Sequence, residues 1–139
     1  MANLDIVEFL KTIYLGDRGC KSILLDGWNS EVKIQVTCIS RVREATWNYY
    51  TAEDLPDGFM VFEGVNSVTF EPCGPLPNSF ISDIHAVPLV NDRAKYLVIM
   101  SADANDPSDP SGIVSVKVMI RADSMALEDQ RKPGQRITR

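Results

Sequence analysis

The sequence predicts a mostly β (α+β) domain: an antiparallel β-sandwich or partly open barrel with one N-terminal helix packed on it. Three observations carry this. Val32, Ile34, Val36 and Cys38 alternate with Lys33, Gln35 and Thr37, and Val114, Val116, Val118 and Ile120 alternate with Ser115, Lys117 and Arg121. That period of two belongs to strands with one buried face. Turn formers such as Asp26-Gly27, Pro56-Asp57-Gly58 and Gly64 recur between the apolar runs, the punctuation of short antiparallel strands. Only one stretch, near the N-terminus, has helical spacing.

Taken in order, Leu4, Val7, Leu10 and Tyr14, flanked by Ile6, Phe9 and Ile13, give a broad apolar stripe that predicts a helix over 3–15. Asn3 is its expected N-cap, Asp5 and Glu8 suit the positive end of its dipole, and Gly16 offers a left-handed stop. Residues 20–26 and 32–38 should form a hairpin about Asp26-Gly27. Further strands are expected at 45–50, 58–63 and 65–71. Pro72, Gly74, Pro75 and Pro77 then interrupt, because proline has no N–H to give a ladder. Strands resume at 80–88 and 94–101. A polar loop over 102–112 leads to a last strand at 113–121, which should pair with 94–101 as a long hairpin. The domain is expected to span 1–128, with 129–139 as a polar, basic and loose C-terminal arm.

The 139 residues are 45% hydrophobic and 24% charged, enough to bury one core without metal or disulfides. The three cysteines, Cys20, Cys38 and Cys73, form no CxxC pair, and Cys38 is expected in the core. No apolar run approaches the roughly 20 residues of a spanning helix, and no basic-then-apolar leader opens the chain. A cytoplasmic protein is the expectation. A net charge of −5 argues against nucleic acid as partner, which calls for a concentrated positive surface.

Little catalytic chemistry is in view. His85 is the one histidine, and no nucleophile lies in a motif that would make it a base; it reads as an ordinary strand residue. Phosphate-binding glycine motifs are absent. The 103–112 loop is rich in Asp, Asn and Ser, yet an EF-hand frame begun at Asp103 puts Ser108 at the glycine position and Val114 at the terminal glutamate position. Glu63 and Glu71, like Asp54 and Asp57, sit in no glycosidase motif and read as surface carboxylates. No cofactor, metal or catalytic residue is assigned, and the expectation is a non-enzyme.

Two features stand out. From Glu44 through Asp92 there is no lysine or arginine, while Glu44, Glu53, Asp54, Asp57, Glu63, Glu71, Asp83 and Asp92 contribute −8. A focused acidic field speeds association with a basic protein. Within it, bordering the acidic turn 53–58, lies the cluster Trp47, Asn48, Tyr49, Tyr50, whose aromatics are favoured interface material. The expected partner-binding residues are therefore Trp47, Tyr49, Tyr50, Glu53, Asp54, Asp57 and Glu63. Two alternatives accompany this reading. One is a homodimer formed through exposed strand edges or through 94–101; the other is a small-ligand-binding or hydrolytic barrel.

The run Leu15, Gly16, Asp17, Arg18, Gly19, Cys20, Lys21, Ser22, Ile23, followed by Asp26, Gly27, Trp28, Asn29 and by Phe62, Glu63, Gly64, Val65, resembles a group of small uncharacterised bacterial domains. The resemblance covers roughly 4–128, and the group is distantly similar to immunity-type proteins of bacterial toxin systems. The resemblance implies a bacterial, non-enzymatic domain and carries over no site residue.

Overall fold

The computed structural model describes residues 4–43 and 53–139. Its strands are β1 (Ile13–Tyr14), β2 (Cys20–Asp26), β3 (Glu31–Val36), β4 (Cys38–Arg41), β5 (Leu55–Pro56), β6 (Phe59–Glu63), β7 (Ser67–Glu71), β8 (Ile81–Pro88), β9 (Tyr96–Asn105), β10 (Ile113–Ala122), β11 (Ser124–Glu128) and β12 (Arg136–Ile137), preceded by α1 (Ile6–Leu10). They form three antiparallel sheets in the orders β1-β4-β5, β7-β10-β9-β8 and β12-β11-β6-β3-β2. The sheets pack against one another without closing into a barrel. The mostly β expectation holds.

The hairpins follow from the alternation. β2 pairs with β3 from Asp26↔Glu31 to Cys20↔Val36, and β9 pairs with β10 along ten residues from Asn105↔Ile113 to Tyr96↔Ala122. Val32, Ile34 and Val36 of β3, Met60 and Phe62 of β6, Val98 and Met100 of β9, and Val116, Val118 and Ile120 of β10 meet in one core. The two larger sheets share a corner. β6 pairs with β11 in one sheet and β7 with β10 in the other, so a single two-stranded ribbon bends between them. The bend falls at Gly64 and Asp123. Three residues, 64–66, there oppose two, 122–123, and a bulge of this kind is how strands turn such corners. Asp123 N–H donates to Glu63 O (2.9 Å) and Asn66 N–H to Arg121 O (3.1 Å). Gly64 has φ +64°, and a Cβ there would run into Asp123.

Several expectations need correction. The helix spans Ile6–Leu10, not 3–15: Asp5 is its N-cap and accepts from Glu8 N–H (2.8 Å), Lys11 is its C-cap, and Ile13–Tyr14 is already strand. Gly16 has no role in ending it. Ile6 and Phe9 are its buried residues, and it packs on β8 and β11. The strand expected at 32–38 breaks at Thr37, and Cys38 opens β4 in a different sheet. Cys38 is half-buried, whereas Cys20 is the core thiol, with burial pushing its pKa up to about 11; all three cysteines are free. β9 runs on to Asn105, which shortens the polar loop. The strand expected at 45–50 lies outside the described residues.

The C-terminal arm is not loose. β12 pairs with β11 through Leu127↔Ile137 and Glu128↔Arg136. Arg136 then reaches over the outer face of the five-stranded sheet to within 3.2 Å of Glu31, 3.3 Å of Glu128 and 4.0 Å of Glu63. Glu31 and Glu63 stand directly opposite each other in register, a repulsive arrangement for two carboxylates. The Arg136 guanidinium offsets that repulsion. Lys33 adds a second cation, 3.3 Å from Glu128 and over the Phe59 ring.

Candidate interaction surface

The acidic stretch that is continuous in sequence is dispersed in space. Arg43 forks onto Glu53, with contacts of 2.7 and 3.1 Å, and holds that carboxyl below its usual pKa. Asp54 accepts from the Ser40 hydroxyl (3.3 Å) and from Arg41 N–H (3.4 Å). Asp57 takes Lys21 at 2.7 Å and Gln130 at 3.4 Å. Glu63 lies the length of β6 away, about 15 Å at ~3.3 Å per residue, where it faces Arg136 and accepts from the Ser124 hydroxyl (3.2 Å). Further along, Asp92 takes Arg121 at 2.6 Å, and its pKa is lowered first by the Ala94 N–H and then by Arg121. Arg43, Lys21, Arg121 and Arg136 all come from outside the stretch. The structure thus brings Glu53 and Asp54 to the small sheet, sets Asp57 at the start of β6 and Glu63 at its end. Trp47, Tyr49 and Tyr50 lie outside the described residues.

The small sheet also buries a cation. Arg41 is buried against the Phe9 ring, donates to Thr12 O (3.4 Å) and Oγ1 (3.1 Å), and is pushed down to about 10, chiefly by burial and then by Arg43. His85, on the outer strand β8, contacts Asp83 through Nδ1 at 2.7 Å, with both side chains exposed. In the 106–112 loop, Asp106 and Asp109 spend their Oδ1 atoms on Ser108 and Ser111 as local turn bonds. Among the described residues, no group of three or more His, Cys, Asp or Glu is arranged to hold a metal ion. None of the described helices is long and apolar enough to cross a membrane.

The surface that sequence reasoning missed lies at β2. This strand ends the five-stranded sheet, and no described strand pairs along its outer edge between Ser22 and Asp26. Beyond Cys20 that edge is already taken: Cys20 N–H donates to Ser79 O (2.9 Å), and Gly19 bridges Phe80. Large apolar side chains gather on and around β2. Leu24, Leu25 and Phe80 are exposed, Leu76 is 76% exposed, and Trp28, in the turn after the strand, is 96% exposed. Between β2 and β7, the facing edges of the two large sheets, run two grooves of about 440 Å³ each that share Leu25. One is walled by Ile23, Phe70, Leu76 and Pro77, and the other by Val32, Val65 and Val68. Monomeric proteins seldom leave a large apolar patch uncovered without an interaction to explain it. An apolar edge strand is also a template for pairing, and the irregularity in β2 lies between Cys20 and Ser22, ahead of the unpaired stretch.

These features define a small antiparallel β domain with an open, apolar sheet edge. The chain belongs to DUF6258, a family of unknown function, whose model matches residues 4–139. That membership agrees with the uncharacterised-domain part of the resemblance and carries no immunity-type similarity. No curated protein and no solved structure matches the chain.

Proposed function

We propose that this domain is a cytoplasmic, non-enzymatic protein-binding module that takes its partner along β2. The observation that carries the reading is the unpaired edge between Ser22 and Asp26, bordered by exposed Leu24, Leu25, Trp28, Leu76 and Phe80. An added strand would satisfy the free backbone groups of β2, while the apolar flanks supply side-chain burial; this is how β-augmentation divides affinity from specificity. To test it, tagged wild type and a Leu24→Lys, Leu25→Lys double variant are used as bait in extract of the native host. Retention of a defined protein by wild type and its loss from an equally folded variant is expected. Identical retained sets from the two baits would refute the β2 contact.

The finer form of this reading is a bacterial immunity-type protein neutralising a basic toxin. Net charge −5 supports it, with Glu53, Asp54, Asp57 and Glu63 as contacts beside Trp47, Tyr49 and Tyr50. The internal partners of Glu53, Asp57 and Glu63 leave it less supported than the β2 surface. Under it, association with the partner slows as salt is added, and reversing Asp54 and Asp57 weakens binding. A complex indifferent to both changes would exclude that contact.

A further inference from the structure

We infer that the strand added to β2 is β2 of a second copy of this chain, paired antiparallel across a two-fold axis through Leu24. This rests on the reading of β2 as the contact surface and names the partner.

The backbone sets the register. Val36 N–H donates to Gly58 O, on the β6 side of β3 (3.0 Å), and Cys20 N–H donates outward to Ser79. Val36 and its partner Cys20 therefore turn their backbone groups away from each other. The register of β2 shifts between Cys20 and Ser22, so alternation is counted along β3 from Val36: Gln35, Lys33 and Glu31 turn to β2, and Ser22–Gln35, Leu24–Lys33 and Asp26–Glu31 are the bonded pairs. Ile23 and Leu25 are left with their N–H and C=O groups on the free edge. A two-fold axis that continues the sheet must stand perpendicular to it, which keeps both grooved faces on one side. Side chains directly opposite each other share a face, so the axis passes through a residue and not between two. Placed at Leu24, it sets Ile23 opposite the second copy's Leu25, and Leu25 opposite its Ile23. All of the free groups on these residues then pair. On the outer face the two Leu24 side chains meet.

The ends of the strand fit this register. Trp28 lies four residues after Leu24, and Cys20 four before it. The two-fold thus brings each Trp28 to the other copy's Cys20 end, where Ser79 stops the ladder and Leu76 and Phe80 stand exposed. Charge agrees as well. Lys21 lies at one end of β2 and Asp26 at the other, so each Lys21 approaches the second copy's Asp26 and no like charges face each other. One patch thereby covers itself, as an isologous interface requires.

The full chain is measured by light scattering across a wide concentration range, alongside Leu24→Lys and Trp28→Ser. Wild type should approach twice the monomer mass. Leu24→Lys should weaken the dimer roughly tenfold or more, since it replaces a leucine pair with two lysines directly opposite. Because Cys73 is exposed, Cys73→Ser serves as background for cross-linking. There Leu24→Cys should oxidise to a covalent dimer, as non-bonded opposite residues stand about 4.5 Å apart at Cα, within disulfide reach. Ser22→Cys faces Asp26 in this register and should form no covalent dimer under the same oxidation. Wild type that is monomeric at every concentration overturns the inference, and so does equal cross-linking of the two cysteine variants. If that monomer still retains a different protein through Leu24 and Leu25, the second copy is excluded while the β2 contact surface stands.

Discussion

At one edge of the five-stranded sheet, the C-terminal segment returns as β12 and lays Arg136 across Glu31, Glu63 and Glu128; at the other, β2 ends in open backbone flanked by Leu24, Leu25 and Trp28. The first edge is closed by the chain itself, with charge inside the closure. The second carries apolar side chains where a closed edge would carry lysine or proline. The outer edge of β7 makes the same point from the neighbouring sheet, because Ser67, Thr69 and Glu71 there point polar groups to solvent. An edge left apolar beside two edges finished with charge or polar groups is the feature on which the proposed contact rests.

The largest expected effect breaks both edges together. Phe62 sits on β6, central in the sheet and fully buried, and Phe62→Ala should cost about 3–5 kcal/mol in chemical denaturation. Arg136→Ala should affect only the closed edge, by about 2–3 kcal/mol, because it leaves opposed carboxylates without their cation. Deleting 133–139 should reproduce most of that loss.

Acid provides a gentler probe. Asp129, bonded first by Arg131, and Asp26, bonded first by Asn29, both have lowered pKa values. Each carboxyl is more acidic folded than unfolded. Its contribution is therefore complete above the unfolded value of about 3.9 and is lost as pH falls through the lower, folded one. Asp129→Asn should flatten that fall in the acid limb of a pH–stability profile. Salt should weaken the Asp129–Arg131 pair more than the neutral Asn29 bond. The smallest effect sharpens the comparison: Leu24→Lys, on an exposed position of the open edge, should change monomer stability by less than about 0.5 kcal/mol. A large loss there would mean that β2 is exposed for folding reasons and not for contact.

Much of the fold was legible because side chains alternate wherever a strand has one wet face. β3 and β10 lie where that pattern put them, and β2, β6 and β9 lie where apolar runs between turn formers did, to within about four residues at their ends. The helix was overextended because the apolar stripe from Leu4 to Tyr14 satisfies helical spacing, yet Ile13 and Tyr14 belong to a strand too short to show a period. β5 and β12 are short in the same way. β11 hid for another reason: Met125, Ala126 and Leu127 are all buried, so both faces are covered and no alternation shows. The candidate site was less legible still. A row of carboxylates without lysine or arginine can be counted along the chain, but the basic residues that meet them, Arg43, Lys21, Arg121 and Arg136, come from 10 to 73 positions away and from outside the stretch. Likewise Ile23-Leu24-Leu25 reads as a buried run until topology puts it last in its sheet.

The bent ribbon of β6–β7 with β10–β11 has a consequence for how the molecule comes apart. Each large sheet takes two of its strands from the same two lengths of chain, turned at Gly64 and Asp123. Neither sheet can melt and leave the other intact, since loss of one frees strands on which the other depends. Heating should accordingly give one cooperative transition, at the same temperature whether followed by backbone dichroism or by aromatic fluorescence.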